Sequence, residues 1–311
     1  MTFSPSGTQY ELEGSDYSAV VTGIGASLRR LRFRGRDLVV PFGPRELRPN
    51  YRGAILAPWP NRVVDGRYSF QGTDHQLPLT EPERGHALHG LALWLDGMAV
   101  DRRPSRVALA MVIEPQSGYP FRVGLVVTYE LDGVGLHVNV TATNLSDRDA
   151  PFATAPHPYL VAPEGDLDEW TLSLPAAKVL AVTPDRLIPV DLQPVERLNG
   201  GVFDFREPRE VGSTKIDHAF TDLSRDGLGM AAVTLTDRFN RGVKMSWGAT
   251  SPWVQIHTAD LPDPRKNRLG LAVEPMTGPP DAFNSGLDVP RISPGEIFNV
   301  EWTITAIDPS L

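Results

Sequence analysis

The chain has 311 residues, enough for one large β domain or two smaller domains, and its 41% hydrophobic and 22% charged residues are ordinary for a globular protein. Its formal net charge is −8 and it has no local cluster of Lys and Arg, which argues against a nucleic-acid-binding groove. It contains no cysteine, so disulfides, thiolate metal sites and cysteine nucleophiles are excluded.

The first 20 residues lack a basic region followed by an apolar one, so we expect no secretory signal. No apolar run approaches the ~20 residues that a membrane helix needs. We therefore expect a cytoplasmic protein that does not bind membranes. The absence of cysteine fits a reducing compartment.

Short segments with a two-residue hydrophobic period follow one another along the chain. In "VGLHVNVTAT", residues 134–143, Leu136 and Val138 share one face while His137 and Asn139 share the other. This alternation is typical of a half-buried strand. The same signals predict strands at 37–41, 66–72, 106–114, 124–131, 230–237, 242–248 and 298–307.

The chain shows no long apolar stripe with a 3.6-residue period and no alternation of strands with helices, which argues against doubly wound and TIM-barrel folds. Its 28 Gly and 29 Pro separate the strands, and the Pro-rich stretch 184–194 is predicted to be a surface connection. Nothing marks a linker or an internal repeat. We predict an all-β chain with few short helices, folded as one domain, 1–311, in the form of a large antiparallel β-sandwich.

Two of the seven histidines, His86 and His89, lie three residues apart in "HALHG". With His157 they could supply the three protein ligands of a zinc site. Gly85 and Gly90 favour a loop, however, and in an extended segment the two rings point in opposite directions. The pattern leaves open metal ligands, a proton-transfer group and structural histidines.

His157 lies between two prolines in "APHPY", which restrict its backbone. A rigidly presented histidine suits proton transfer, although a turn histidine that caps a strand fits the same pattern. Glu274 follows the apolar run 269–273 and precedes Pro275, so partial burial would raise its pKa above the ordinary ~4.3 and make it a better base. The alternative is a carboxylate tied to backbone amides or to Arg62.

Further polar residues interrupt apolar segments in "KIDHAF" and "WVQIHTAD". Asp217, Gln255 and His257 are short hydrogen-bonding groups of the kind that bind sugar hydroxyls. Ordinary polarity at a strand edge explains them equally well.

Taken together and in chain order, these motifs resemble those of the aldose 1-epimerase (galactose mutarotase) family. That family has an Asn-Arg pair, Leu-His-Gly, His-Pro-Tyr/Phe, Asp-His/Asn, a Gln before Tyr-Thr, and a late Glu-Pro with Pro-Asp-Ala. The corresponding segments here are "PWPNRVVDGRYSF", "ALHGL", "APHPYL", "IDHAF", "VQIHT" and "LAVEPMTGPPDAFNSG", which extend from about residue 50 to 286. Each is weak alone, but six in family order are specific. The resemblance implies a galactose mutarotase-like supersandwich.

The resemblance also implies a mechanism of general acid and base catalysis. Glu274 would remove the proton of the sugar's C1 hydroxyl, His157 would protonate the ring oxygen, and His89 would hydrogen-bond near that oxygen. No hydride moves and no covalent intermediate forms, so we expect neither a cofactor nor a metal. The expected partner is a small-molecule sugar, and the expected assembly is a monomer or homodimer. The residues implied to orient the sugar hydroxyls are Asn61, Arg62, Asp217 and Gln255.

The sequence departs from the family pattern at three places that border the expected site. Pro58-Trp59-Pro60 stands before the Asn-Arg pair, Leu91 replaces a second glycine, and His257 replaces a tyrosine. These departures bear on which sugar is bound more than on the reaction. Trp59 is predicted either to stack on a sugar face or to pack in the core.

The leading hypothesis is an isomerase that interconverts the α and β anomers of a free aldohexose. A close variant acts on another or a phosphorylated aldose, for which Arg52, Arg67 or Arg84 would supply cationic groups at the rim. A sugar-binding module without turnover is a third possibility. A metal-dependent lyase or isomerase that uses the three histidines named above is a fourth.

Overall fold

The computed structural model describes residues 4–310. Within them the backbone is dominated by strands, with one short α-helix, α1 (Ala282–Ser285), and four 3-10 turns at Pro49–Tyr51, Val64–Gly66, Ala92–Trp94 and Leu198–Gly201. None of the described helices is long and apolar enough to cross a bilayer.

The strands up to the middle of the chain are β1 (Gln9–Gly14), β2 (Tyr17–Thr22), β3 (Leu28–Phe33), β4 (Arg36–Asp37), β5 (Ile55–Leu56), β6 (Arg62–Val63), β7 (Arg67–Phe70), β8 (Thr73–Gln76), β9 (Ala87–Leu88), β10 (Met98–Arg103), β11 (Arg106–Ile113), β12 (Val123–Leu131), β13 (Leu136–Asn144), β14 (Ala150–Pro151) and β15 (Ala155–Pro156). Those that follow are β16 (Tyr159–Leu160), β17 (Thr171–Ser173), β18 (Ala176–Val182), β19 (Pro189–Pro194), β20 (Arg209–Glu210), β21 (Asp217–Leu223), β22 (Ala231–Thr236), β23 (Gly242–Trp247), β24 (Trp253–His257), β25 (Leu271–Met276), β26 (Arg291–Ile292) and β27 (Ile297–Ile307).

Two large sheets organise these strands. One has nine strands in the order β10-β11-β12-β13-β27-β23-β22-β17-β20, and the other has six in the order β16-β25-β24-β21-β18-β19. A four-stranded sheet, β1-β2-β3-β4, and four two-stranded ladders complete the fold. The paired strands within the sheets are antiparallel, so the predicted all-β antiparallel architecture is confirmed.

The hydrophobic alternation of the sequence places one face of each large sheet in a common core. Along β13 every second residue is buried, as the period of 134–143 predicts. Its side chains Val138 and Val140 belong to the same apolar cluster as Val254 and Ile256 of β24. Burying apolar surface between two sheets is the main stabilising contribution in such a sandwich.

Two sequence predictions are wrong in detail. The stretch 184–194 is not only a connection, because Pro189–Pro194 forms β19 at the edge of the six-stranded sheet, where a residue without a backbone N–H is tolerated. The predicted strand at 37–41 is reduced to Asp37 at the end of β4 and an isolated bridge between Val39 and Leu160.

Close backbone packing requires a glycine at the last position of the "LHG" motif, Gly90. Gly90 has φ +78°, and a Cβ built on it would lie 2.2 Å from the Ala57 carbonyl oxygen. That oxygen accepts hydrogen bonds from the backbone N–H groups of Leu91 and Ala92. The segment after β9 therefore packs directly on the chain that leads from β5 to β6.

We predict that Gly90→Ala lowers the free energy of unfolding by about 3 kcal/mol, because it adds a backbone clash to an unfavourable left-handed conformation. Gly72→Ala is the matched control, since Gly72 has the same φ of +78° but a Cβ at that position would meet nothing within 4 Å. Gly72→Ala should lower the free energy of unfolding by about 1 kcal/mol. Denaturant unfolding of both variants measures the difference, and equal losses would contradict the proposed clash.

Candidate active site

A cavity of about 260 Å³ opens over one face of the six-stranded sheet. It collects polar side chains that are far apart in sequence and lie on separate strands and connections. Most of the residues predicted from the sequence motifs line it: Asn61, Arg62, His89, His157, Asp217, Gln255 and Glu274.

Strand register explains how the sheet side of this cavity forms. Gln255 of β24 is directly opposite Glu274 of β25, and His257 is directly opposite Asp217 of β21. Directly opposed residues of an antiparallel pair point to the same face, and so do residues two positions apart in one strand. All four side chains therefore point into the cavity. Tyr159 of β16 joins them at the edge of the sheet.

His157 and Glu274 contact each other inside the cavity. The Nε2 atom of His157 is 3.4 Å from Oε1 of Glu274, and both side chains are almost fully buried. The His157 ring stacks on Tyr159 and meets His89 edge to face, with ring centroids 5.2 and 5.1 Å apart. The Nδ1 atom of His157 and the Oε2 atom of Glu274 have no hydrogen-bond partner among the described residues. Both atoms have almost no exposed surface, so a ligand reaches them only if the side chains turn toward it.

Burial sets the protonation of this pair. Burial, reinforced by Asp217, raises the pKa of Glu274 well above its ordinary value, and Arg62 offsets the rise only in part. Burial, reinforced by His257, lowers the pKa of His157 to about 3. Both shifts favour the neutral forms, in which the pair shares one proton that lies on the carboxyl group. A single proton shared by an acid and a base in contact is the arrangement that proton transfer requires.

Asn61 and His89 are held together by two hydrogen bonds, one between backbone groups and one to the His89 ring. The His89 N–H donates to the Asn61 carbonyl oxygen at 2.8 Å, and the Asn61 N–H donates to Nδ1 of His89 at 3.2 Å. Since Nδ1 accepts, the neutral ring carries its proton on Nε2. Burial and the neighbouring His157 hold the pKa of His89 well below its ordinary value. His89 is thus a neutral hydrogen-bond donor.

Arg62 is not the ion-pair partner of Glu274, which corrects one sequence-based alternative. Its Nε and Nη2 atoms donate to the two carboxylate oxygens of Glu81 at 2.8 and 3.0 Å. Arg84 donates to the same carboxylate at 2.9 Å. A bidentate pair of this kind fixes the guanidinium firmly. Glu81 thereby holds both cations, and Glu274 is left without a direct positive partner.

Asp217 differs from Glu274 although both are carboxyl groups in one cavity. Burial alone raises the pKa of Asp217, but His257, Arg62 and a hydrogen bond from Gln255 outweigh it, so the net shift is downward. The Gln255 Nε2 atom donates to Oδ1 of Asp217 at 2.7 Å. Asp217 is therefore an ionised acceptor, while Glu274 is neutral.

Two predicted residues lie away from the cavity. Trp59 packs in the core against Tyr119 and Phe283, and its indole N–H donates to the Ala87 carbonyl oxygen. The alternative of core packing therefore replaces the predicted contact of Trp59 with sugar. His86 is fully buried, where its Nδ1 accepts from the Asp65 N–H and its Nε2 contacts the Arg186 carbonyl oxygen.

These contacts give His86 a structural role and separate it from the metal-ligand set that the "HALHG" spacing suggested. No group of three His, Asp or Glu side chains within residues 4–310 is arranged to hold a metal ion. His89 and His157 remain as neighbours in the cavity.

Sequence reasoning missed four contributors to the cavity: Asn50, Tyr51, Glu81 and Leu261. All four belong to irregular segments without a hydrophobic period, so no pattern in the chain marks them. Of the arginines considered as rim cations, only Arg84 lines the cavity. Arg52 is buried with Nη1 directed at the Pro41 carbonyl oxygen, and Arg67 bonds to Gln76 on the β7–β8 hairpin.

Comparisons with known proteins identify the family to which this chain is similar. The family model described as aldose 1-epimerase matches residues 8–305. The uncharacterized protein YihR of Escherichia coli (strain K12) is 34% identical over 292 residues, which cover 94% of this chain and 91% of YihR. The galactose mutarotase of Rattus norvegicus is 28% identical over 224 residues, 66% of this chain and 62% of that protein.

Among solved structures, the GalM/aldose epimerase homologue from C. elegans superposes with a TM-score of 0.83 at 19% identity, over 97% of this chain and 99% of that one. At that identity the likeness establishes the fold. The family model extends over nearly the whole described chain and includes every strand that borders the cavity. The chain belongs to the aldose 1-epimerase family.

Proposed function

We propose that the protein is a mutarotase that interconverts the α and β anomers of a free aldohexose. The observation that carries this proposal is the buried 3.4 Å contact between His157 and Glu274, beside polar groups able to bind hydroxyls. Family membership supports a carbohydrate epimerase in general. The choice of a neutral hexose rests on the charges of the cavity.

Ring opening follows from the positions of these two side chains. Glu274 as carboxylate takes the proton of the C1 hydroxyl, while His157 as imidazolium gives a proton to the ring oxygen. The bond from C1 to the ring oxygen breaks and a C1 carbonyl forms. The two groups are then a neutral carboxyl and a neutral imidazole, the state that burial favours. Rotation about C1–C2 and the reverse transfers give the other anomer.

The remaining polar groups position the sugar. The Nε2 proton of His89 is suited to donate near the ring oxygen, and ionised Asp217 and Gln255 to bind hydroxyls. Each proton-transfer group contributes roughly 10²–10⁴-fold to such reactions, and fixed orientation adds to this. With the two groups 3.4 Å apart, a small side-chain movement brings them within hydrogen-bond distance and lets the proton move from Glu274 to His157.

The charges of the cavity favour a neutral sugar over a phosphorylated one. Both guanidinium groups that line it, those of Arg62 and Arg84, are already paired with Glu81. Asp217 adds a negative charge and Asp260 is itself paired with Arg268 at 2.9 Å, so the lining carries no net positive charge to attract a phosphate group. Turnover of glucose should therefore exceed that of glucose 6-phosphate at equal concentration. Anomer-exchange NMR measures both, and the reverse preference would favour the phosphorylated substrate.

We predict that Glu274→Gln lowers kcat for anomer exchange of D-glucose or D-galactose by at least about 100-fold, because an amide cannot accept the C1 proton. Polarimetry of freshly dissolved α anomer measures the rate. Glu83→Gln is the control, since Glu83 is exposed on the neighbouring turn. An unchanged rate in Glu274→Gln would overturn the role of Glu274.

The same substitution should stabilise the folded protein at neutral pH. The folded pKa of Glu274 lies above its ordinary value of 4.5, so its favourable contribution is complete below pH 4.5 and is lost as pH rises toward the folded pKa. Glutamine mimics the neutral form at every pH. We expect Tm to rise by about 2 °C at pH 7 and the difference to vanish near pH 4. Thermal unfolding of Glu274→Gln and Glu83→Gln tests this, and a destabilised Glu274→Gln at pH 7 would contradict it.

The pH dependence of kcat/KM should reflect the single proton on the pair. A second proton goes to His157, whose pKa is about 3, so activity should persist well below pH 6.5. On the alkaline side activity falls as Glu274 loses its proton, because no acid remains. Anomer-exchange NMR from pH 4 to 9, corrected for the uncatalysed rate, measures the profile. A loss of activity centred near pH 6.5 would show that His157 titrates as an ordinary histidine.

A further inference from the structure

The segment from Pro49 to Gly53 forms a wall of the cavity that the sequence motifs do not include. Asn50 and Tyr51 are consecutive residues with positive φ, +47° and +57°, and both line the cavity. Asparagine tolerates the left-handed region, whereas a bulky aromatic residue rarely adopts it. The surrounding structure must therefore hold Tyr51 in this conformation.

Hydrogen bonds tie this segment to the chain that carries His157. The Gly53 N–H donates to the His157 carbonyl oxygen at 2.8 Å, and the His157 N–H donates to the Ala54 carbonyl oxygen at 3.0 Å. The Tyr159 hydroxyl donates to the Asn50 carbonyl oxygen at 3.2 Å. Gly53 also packs closely on Leu28 of β3, because a Cβ there would lie 2.0 Å from the Leu28 carbonyl oxygen. The segment is thus fixed relative to the proposed general acid.

The side chains of Asn50 and Tyr51 line the cavity beside the proposed catalytic histidines. The Tyr51 ring lies 4.7 Å from the His89 ring and 6.1 Å from the His157 ring, centroid to centroid. The hydrogen bonds described for Asn50 and Tyr51 run through their backbone carbonyls, which accept from the Tyr159 hydroxyl and the Ala54 N–H. The Asn50 amide and the Tyr51 hydroxyl remain to meet a ligand.

The same backbone feature marks two residues that the family motifs select. Asn61 and His89 line the cavity and also have positive φ, +54° and +63°. Of the 17 described non-glycine residues with positive φ, these four line the cavity and 13 lie elsewhere, so the feature supports a role for Asn50 and Tyr51 only together with their place in the cavity.

We propose that Asn50 and Tyr51 form a substrate-recognition pair, in which the Tyr51 ring packs on an apolar face of the pyranose and the Asn50 amide hydrogen-bonds a ring hydroxyl. Small-molecule sites combine aromatic contact area with a few placed polar groups in this way. The inference rests on the proposed function of the same cavity. Because both contacts exist before and during ring opening, they lower KM and leave kcat nearly unchanged.

Three substitutions test the pair. Tyr51→Leu removes the aromatic face and should raise KM roughly tenfold, while kcat stays within about threefold. Tyr51→Phe removes only the hydroxyl and should raise KM about threefold. Asn50→Gly keeps the left-handed backbone and removes the amide, so it should change the ratio of KM values between two aldoses that differ at one hydroxyl.

Matched controls lie far from the cavity. Asn240→Gly removes an exposed asparagine with a φ of +57°, and Phe239→Leu removes a half-exposed aromatic ring beside it. Both controls should retain the KM and kcat of the unmodified protein. If Tyr51→Leu also retains its KM while the protein is active, the recognition pair is overturned and the proposed mutarotase function stands.

A measurement of sugar binding shows whether a negative result counts against the recognition pair or against the proposed mutarotase function. NMR titration of D-galactose into Glu274→Gln, with and without Tyr51→Leu, measures affinity without turnover. If the unmodified protein binds sugar but does not exchange anomers, and Tyr51→Leu weakens that binding tenfold, the pair stands and the mutarotase function fails. If the protein neither binds nor turns over any aldose of the panel, both are overturned.

Discussion

The register of the six-stranded sheet is the constraint on which the cavity depends. Gln255 is opposite Glu274 and His257 is opposite Asp217, so polar groups from three strands point to one face. The intervening residues, Ile256 among them, point into the core. A slip of one residue in β25 would send Glu274 into that core and bring an apolar neighbour to the cavity. The hydrophobic alternation that stabilises the sandwich therefore also places the proposed general base.

The electrostatic surroundings give two carboxyl groups of the cavity, those of Asp217 and Glu274, different protonation states. Glu81 engages Arg62 in a bidentate pair, which keeps that guanidinium from forming a direct ion pair with Glu274. Asp217 accepts a hydrogen bond and lies beside His257, so it ionises, and its negative charge adds to the burial that keeps Glu274 protonated. Environments that push the pKa values of two acids apart are how a site obtains different roles from similar groups. Glu81, far from Glu274 in sequence but in the same cavity, thus contributes to the raised pKa of the proposed base.

The sequence predicts well what depends on short-range periodicity and less well what depends on tertiary contacts. Strands such as β13 and β27 follow from their alternation, and the motif residues that line the cavity follow from the family resemblance. The edge strand β19 was not predicted, because its prolines indicated a surface connection. The role of Trp59 could not be decided, because proximity to the Asn-Arg pair in sequence does not say which way a ring points. Tyr51 was missed because its position follows from a left-handed turn held by contacts with the His157 segment, and no local pattern encodes that.

Four buried polar atoms at the cavity have no partner among the described residues: His157 Nδ1, Gln255 Oε1, His257 Nδ1 and Glu274 Oε2. Leaving such an atom unsatisfied costs about 1–3 kcal/mol, so folded proteins generally avoid it. All four belong to residues that line the cavity, so the penalty is concentrated where the proposed substrate would bind. The apolar contacts of the sandwich core offset it. A ligand with hydroxyl groups, each able to donate and accept, would relieve part of this penalty once the side chains turn toward it, and the proposed free sugar meets that demand.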